Sequence, residues 1–276
     1  MAACDKIAAA GYKNFYGMYQ MQHNDWMNFA FASEDIDYCD NDNARGGCPT
    51  KYLFMEDETC HEAALSYFTF LREMINRGYA ADRKLSANDL FNAFAAEDII
   101  AVDTYNSRTS TILNAVKGKF AVGYQPSPTI YADTVSKGQA PGGNCLFIGN
   151  SGNYWTEHGA WEFIKYLYED AELGAQYAID TGYSPNTYSA TNTEKYQNYI
   201  TEVFPDRQKV IDAQWNTPEG IGYAPSPVQS EVLSLFSAVV YDMWNDSNYT
   251  AEKALSDFTE KANESLELYR ITNRLD

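Results

Sequence analysis

Apolar residues recur at helical spacing along much of the chain, with a few short apolar runs between them. Residues 4–10 read as a short helix. An aromatic run follows through Tyr12, Phe15, Tyr16, Tyr19, Trp26, Phe29 and Phe31, most of it expected in a core. Thr59 to Glu62 has the spacing of a capping box. Ala64, Phe68, Leu71 and Ile75 then recur about one turn apart, and Gly78 ends that helix. Ser86 to Asp89 opens another helix that turns Leu90, Phe91 and Phe94 inward. Residues 99–102 are predicted as a short buried strand, followed by the polar loop 103–108 and a helix over 109–116. Strand, loop and helix make a βα unit, whose ligands sit beyond the carboxyl end of the strand. The helix N-terminus there can receive an anion or a hydroxyl; Ser107 either caps it or meets a ligand.

Residues 120–124 are predicted as a further strand ending in a Pro-Ser-Pro turn. The stretch 141–150, PGGNCLFIGN, reads as a Gly-Gly turn running into a short apolar strand. The following helix carries Ala160, Trp161, Ile164 and Leu167 at helical spacing. Thr181-Gly182-Tyr183-Ser184-Pro185 reads as a helix C-cap with an aromatic held in a rigid loop. Two loops joined by one helix suit binding better than catalysis. Two short helices, over 194–203 and 206–213, are expected next, in a segment carrying Tyr196, Tyr199 and Trp215. Ser226 to Gln229 has the form of a second capping box, with Pro227 at the first helical position. Its helix turns Val232, Leu235, Phe236, Val239 and Met243 inward. Thr250 opens a last helix with Leu255, Phe258, Ala262, Leu266 and Tyr269 on one face. Strands alternating with helices predict an α/β layer fold.

Composition narrows the function. A chain of 276 residues, 45% hydrophobic and 15% aromatic, can build a sizeable core. Its net charge of −18 argues against nucleic acid, whose phosphates are held by basic patches. The 22 tyrosines combine apolar rings with polar tips, which suits polyhydroxylated ligands. No apolar run approaches the length of a membrane span. No basic segment followed by an apolar one marks a leader, so the native chain is expected to begin upstream of Met1. Cysteines at 4, 39, 48, 60 and 145 are too irregular for a full disulfide framework and leave room for one pair, such as Cys39 with Cys48.

Chemistry-bearing motifs are sparse. His23, His61 and His158 fall in no zinc-binding spacing, so neither a metal site nor a metal cofactor is expected. There is no nucleophile elbow and no phosphate-binding loop, and Gly142-Gly143 lacks the rest of a dinucleotide fingerprint. No catalytic residue and no cofactor is assigned. Asp35, Asp37, Asp40 and Asp42 hint at calcium, but the loop has neither the EF-hand order nor a closing Glu, and it reads as a solvated loop. Glu56-Asp57-Glu58 and Glu97-Asp98 are paired carboxylates, and a glycosidase needs two such groups about 5–10 Å apart across a cleft. Adjacency in sequence does not supply that geometry. A glycoside hydrolase and a purely structural α/β domain remain the alternatives to a binding protein.

Six segments, in this order, carry a resemblance: FLREMINRGY (70–79), the 94–104 strand with its polar loop, FAVGYQPSP (120–128), PGGNCLFIGN (141–150), AWEFIKYL (160–167) and TGYSPN (181–186). Together they resemble the C-terminal half of family 1 extracellular solute-binding proteins of ABC importers, in the branch that binds glycerol-3-phosphate and sugars. The resemblance implies an α/β lobe of the periplasmic-binding-protein type II kind, with C-terminal helices. On this reading residues 1–276 are a single domain, the C-terminal lobe, while the N-terminal lobe and a lipidated leader lie upstream. It implies a sugar or oligosaccharide ligand, ABC permease transmembrane subunits as partners, and an extracytoplasmic location, periplasmic or as a lipoprotein. The exposed lobe face is a route to a homodimer. Carried over residue by residue, the resemblance implies ligand contacts at Tyr105, Asn106, Ser107, Gly142, Gly143 and Tyr183, and an aromatic near the hinge at Trp26. The glycerol-phosphate branch places an Arg after the T-G-Y loop; here 217–227 holds no Arg or Lys. That departure favours a neutral sugar, against which Trp215 and Tyr223 are expected to stack.

Overall fold

The computed structural model describes residues 1–18, 30–81, 85–131, 136–138, 145–203, 205–215 and 224–275. In chain order the helices and strands are α1 (Ala2–Ala9), β1 (Tyr16–Gly17), α2 (Ala32–Glu34), α3 (Asp40–Asn43), α4 (Glu58–Asn76), α5 (Ala87–Ala95), β2 (Ala101–Val102) and α6 (Thr109–Val116). There follow α7 (Tyr154–Glu169), α8 (Ala171–Thr181), α9 (Tyr188–Thr191), α10 (Glu194–Glu202), α11 (Pro205–Trp215), α12 (Gln229–Asn245) and α13 (Ala251–Asn273). They fall into two compact units. The first comprises Met1–Thr104, Pro126–Ala140 and Ala213–Asp276; the second comprises Tyr105–Gln125 and Pro141–Asp212.

The first unit is built on α4, α12 and α13. Along α4, Cys60, Ala63, Ala64, Tyr67, Phe68, Leu71 and Met74 are buried, the three-to-four-residue recurrence that lays one apolar stripe along a helix. Val232, Phe236, Val239, Val240 and Met243 do the same on α12, and Leu255, Phe258, Ala262 and Leu266 on α13. The stripes meet in three rings, one per helix. Phe68 and Phe236 stand edge to face at 5.6 Å, Phe236 and Phe258 edge to face at 5.8 Å, and Phe68 and Phe258 lie tilted at 6.0 Å. Each such ring stabilises by about 1.5–3 kcal/mol through burial alone. Phe54 extends the cluster to the loop before α4, 5.5 Å from Phe258.

Polar groups fix where these helices begin and end. Asp57, and not Thr59, caps α4: its carboxylate accepts from the Cys60 amide at 2.8 Å. A charged acceptor one residue ahead of Glu58 fits the positive end of the helix better than the later hydroxyl. The predicted helix start at Ser86 is a reciprocal capping box with Asp89 at the head of α5, and Thr250 caps α13 through the Lys253 amide. Ser226 does not cap α12, which starts at Gln229. Its buried hydroxyl instead accepts from the Tyr52 hydroxyl at 2.7 Å. The buried Arg72 closes the other end of α12, donating to the carbonyls of Met243 and Asp246, which the helix leaves without an internal partner.

The strands are few. β1 and β2 pair in parallel, Tyr16 with Ala101 and Gly17 with Val102. The predicted strand over 99–102 is therefore present in its last two residues, and helix dominates this α/β chain among the described residues. Residues 120–124 and 145–149 form no strand. A strand is held by its neighbour's backbone, and no ladder partner lies beside either segment among the described residues. Phe147 is 88% exposed, so its apolar run is not buried.

In the acidic loop, the Asn43 side-chain oxygen accepts from the Tyr38 and Cys39 amides, both at 3.1 Å. Asp40 accepts from the Thr50 amide at 2.7 Å, from the Thr50 hydroxyl and from the Lys51 amide at 3.3 Å. The carboxylate is thus used to close the loop, and no group of residues suited to a metal ion occurs among the described residues. Cys39 and Cys48 are free thiols, as are the other three cysteines. Of the early aromatics Phe15 and Phe31 are buried as expected, Tyr12 is exposed, and Tyr19, Trp26 and Phe29 lie outside the described residues.

Two outcomes test this reading. Phe258→Ala is expected to cost about 3–5 kcal/mol in urea unfolding, against less than about 0.5 kcal/mol for Tyr12→Ala on the surface. Asp40 is held below its ordinary value of 3.8; burial raises it, but the hydrogen bonds from Thr50 and Lys51 outweigh that. A depressed carboxylate contributes stability above its unfolded value and loses it as pH falls through the folded one. Asp40→Asn imitates the protonated acid, so the gap in Tm between parent and variant should be full at pH 7 and close as the pH falls below about 4.

Candidate functional site

In the second unit the chain brings two of the predicted loops together. Tyr105 leads in extended backbone into a single 3-10 turn over Asn106–Arg108, which runs directly into α6. The cap of α6 carries no side-chain hydrogen bond, so Ser107 is not its cap. On the other side, α8 is capped by Asp170, whose carboxylate accepts from the Leu173 amide at 3.0 Å. It stops at Gly182 in the left-handed conformation, φ +80°, with the Gly182 amide on the Ala178 carbonyl at 2.9 Å. This is the glycine C-cap that the sequence predicts.

Gly182 also lets the loops touch. A Cβ there would lie 3.0 Å from the Ser110 Oγ and 3.2 Å from the Ser107 carbonyl oxygen. The absence of a side chain is what allows the backbone after α8 to approach the start of α6 so closely. One residue further on, Tyr183 turns outward, 43% exposed. The Asn106 amide then donates to the Ser184 hydroxyl at 3.2 Å. The loops carrying Tyr105, Asn106 and Ser107 and carrying Tyr183 and Ser184 therefore meet, with the exposed Tyr183 next in the chain to the serine that Asn106 bonds.

Beneath the contact lies a polar layer absent from the sequence-based expectations. Arg207 on α11 is 2% exposed and donates through Nη2 to the Gly182 carbonyl. Its charge lies near Tyr196 and Tyr199 of α10. Burial raises the pKa of Tyr124, Tyr196 and Tyr199 above the ordinary phenol value, and the Arg207 charge pulls each back in part. All three stay neutral hydroxyls at physiological pH. Around them, Ala175 and Ala178 of α8 pack on Tyr196 and Ile200 of α10.

The remaining predicted residues stand apart from this description. Trp26, Gly142, Gly143 and Tyr223 lie outside the described residues, and Trp215 ends α11 with its side chain outside them. α7 keeps its helical spacing, with Ala160, Ile164 and Leu167 half-buried and Trp161 exposed, and none of its residues is fully buried. Ser184, Ser110 and Arg207 were not anticipated. Ser184 adjoins the T-G-Y motif and was within reach of the sequence reading. Nothing in the local spacing marks Arg207, a cation in the polar run DRQK whose burial depends on α8 and α10 lying against it.

Gly182→Ala should expose how much the close approach matters. The left-handed backbone costs an L-residue about 1–2 kcal/mol, and the crowding at Ser107 and Ser110 adds to it. Gly118, φ +72° with nothing within 4 Å of a Cβ, isolates the first effect. Calorimetric unfolding is expected to show Gly182→Ala as the more damaging of the two.

Three further observations place the chain among known proteins. No helix among the described residues is long and apolar enough to cross a membrane. A comparison with curated proteins finds no match. A family model described as bacterial extracellular solute-binding protein matches residues 1–204 of the 276, and its periplasmic-binding-protein-like α/β fold accommodates a helix-rich chain with few strands. The chain belongs to the bacterial extracellular solute-binding protein family.

Proposed function

We propose that the chain is the solute-binding component of an ABC importer and that its ligand is a neutral sugar or oligosaccharide. The observation that carries this reading is the exposed Tyr183, adjacent in the chain to the Ser184 hydroxyl that Asn106 bonds. A sugar offers an apolar face and a rim of hydroxyls. An aromatic face covers the first, while amide and hydroxyl groups bond the second. The net charge of −18 disfavours an anionic ligand and leaves a neutral one unopposed.

Residues 1–276 correspond, on this reading, to the C-terminal lobe of a two-lobed binder that closes on its ligand about a hinge and then presents its surface to the permease. Gly142 and Gly143 contribute backbone to the ligand wall, and Trp26, Trp215 and Tyr223 contribute rings. The native protein is extracytoplasmic, held as a lipoprotein or free in the periplasm, and a second copy docks on the exposed lobe face. The reading assigns no turnover. Binding without product release distinguishes it from the glycosidase alternative.

Titration calorimetry with glucose, maltose, maltotriose and glycerol-3-phosphate tests the ligand class. Saturable heat with at least one sugar is expected, with the sugar recovered unchanged. Tyr183→Ala should weaken that binding about ten-fold, the scale of one aromatic contact. Silence from every sugar together with tight glycerol-3-phosphate binding would overturn the neutral-ligand assignment. A Tyr183→Ala variant that binds as well as the parent would remove that ring from the site.

A further inference from the structure

The loop that presents Tyr183 is held from behind by a buried cation. Arg207 sits at the carboxyl end of α8, where the last carbonyls lack internal partners and carry partial negative charge. A buried guanidinium gives up water for protein acceptors, and a carbonyl at a helix end is a favourable one. Here Nη2 donates to the Gly182 carbonyl, with Tyr196 close to the guanidinium. Tyr196 is itself anchored in the α8–α10 apolar cluster. On the other side, Gly182 abuts Ser110 and Ser107 at the start of α6. The turn at Gly182 is therefore gripped on both sides, by α6 in front and by Arg207 behind.

We infer that Arg207 is the positioning residue of the solute wall. By holding the Gly182 carbonyl it fixes the direction in which the chain leaves α8, and so keeps Tyr183 and Ser184 beside Asn106. It does so without touching the ligand. The inference rests on the reading above that this wall takes the solute, and it extends that reading to a residue outside the predicted site. A preformed wall spares the ligand the entropy of ordering the loop, so losing the hold should appear as lost affinity.

The experiment compares Arg207→Met and Arg207→Lys with the parent by amide hydrogen exchange, and by calorimetry with whichever of maltose, maltotriose or glucose the parent binds. In Arg207→Met, exchange at the Gly182 and Tyr183 amides should accelerate about ten-fold or more, the scale of one hydrogen bond to a charged group. Protection in α10 and α13 should not change, and sugar affinity should fall by a similar factor. Arg207→Lys, which keeps the charge but not the fork, should recover part of both effects. Uniform acceleration across the second unit would show a general packing role and overturn the inference. So would unchanged exchange at Gly182, or unchanged affinity in a variant whose loop has loosened. If Arg207→Met does not fold, Arg207→Gln replaces it, removing the charge and the fork while keeping a polar end, with the same outcomes deciding. If the parent binds no sugar, the solute reading fails, and the exchange data alone still decide whether Arg207 holds the loop.

Discussion

The meeting of Phe68, Phe236 and Phe258 is the contact on which the first unit depends. Each ring comes from a different helix, and two of those helices lie more than 150 residues beyond the third in sequence. Edge-to-face and tilted packing of three large rings leaves little freedom in how α4, α12 and α13 cross. Tyr79, Ala80, Ala224 and Val228, from the chain between α4 and α12, join the same core. Tyr52 bonding Ser226, and Arg72 closing the end of α12, repeat the same long-range tie with polar groups. These ties lie within the first unit and not in the second.

The second unit solves a different problem with less apolar material. Its buried cluster is small, centred on Ala175, Ala178, Tyr196 and Ile200. Order at the loops comes instead from backbone geometry and hydrogen bonds: a left-handed glycine, a guanidinium on its carbonyl, and an amide on a serine hydroxyl. Such a network is directional, where apolar packing is not, and direction is what a ligand wall requires. Side chains that bond sugar hydroxyls must be aimed before the ligand arrives, or its binding energy is spent aiming them. The three tyrosines around Arg207 suit this role, because burial keeps their hydroxyls neutral and able both to donate and to accept.

The helix stops and faces were legible because they depend on neighbours within one or two turns. Gly182 as a C-cap, Ser86 with Asp89, Thr250, and the buried stripes of α4, α12 and α13 all follow from local spacing. The errors share one cause. Thr59 and Ser226 had suitable side chains, but a nearby carboxylate displaced the first and a distant tyrosine hydroxyl claimed the second. Residues 120–124 and 145–149 had suitable composition for strands, and a strand exists only where another backbone lies beside it.

By itself, the sequence determined the class of the protein: an acidic, tyrosine-rich α/β chain with motifs in the order of extracellular solute-binding proteins, and with Tyr105, Asn106, Ser107 and Tyr183 among its candidate ligand contacts. Periodicity, capping chemistry and charge are properties of the linear chain and need no fold to be read. The tertiary structure decided that Asn106 meets Ser184, that Ser110 and Ser107 leave room only for a glycine at 182, and that Arg207 is buried behind that turn. Each of these joins residues about 25 to 78 positions apart. No local rule specifies such a pairing. It is set when α8, α10 and α11 pack, because only then does a surface-like arginine lose its water and find a carbonyl in its place.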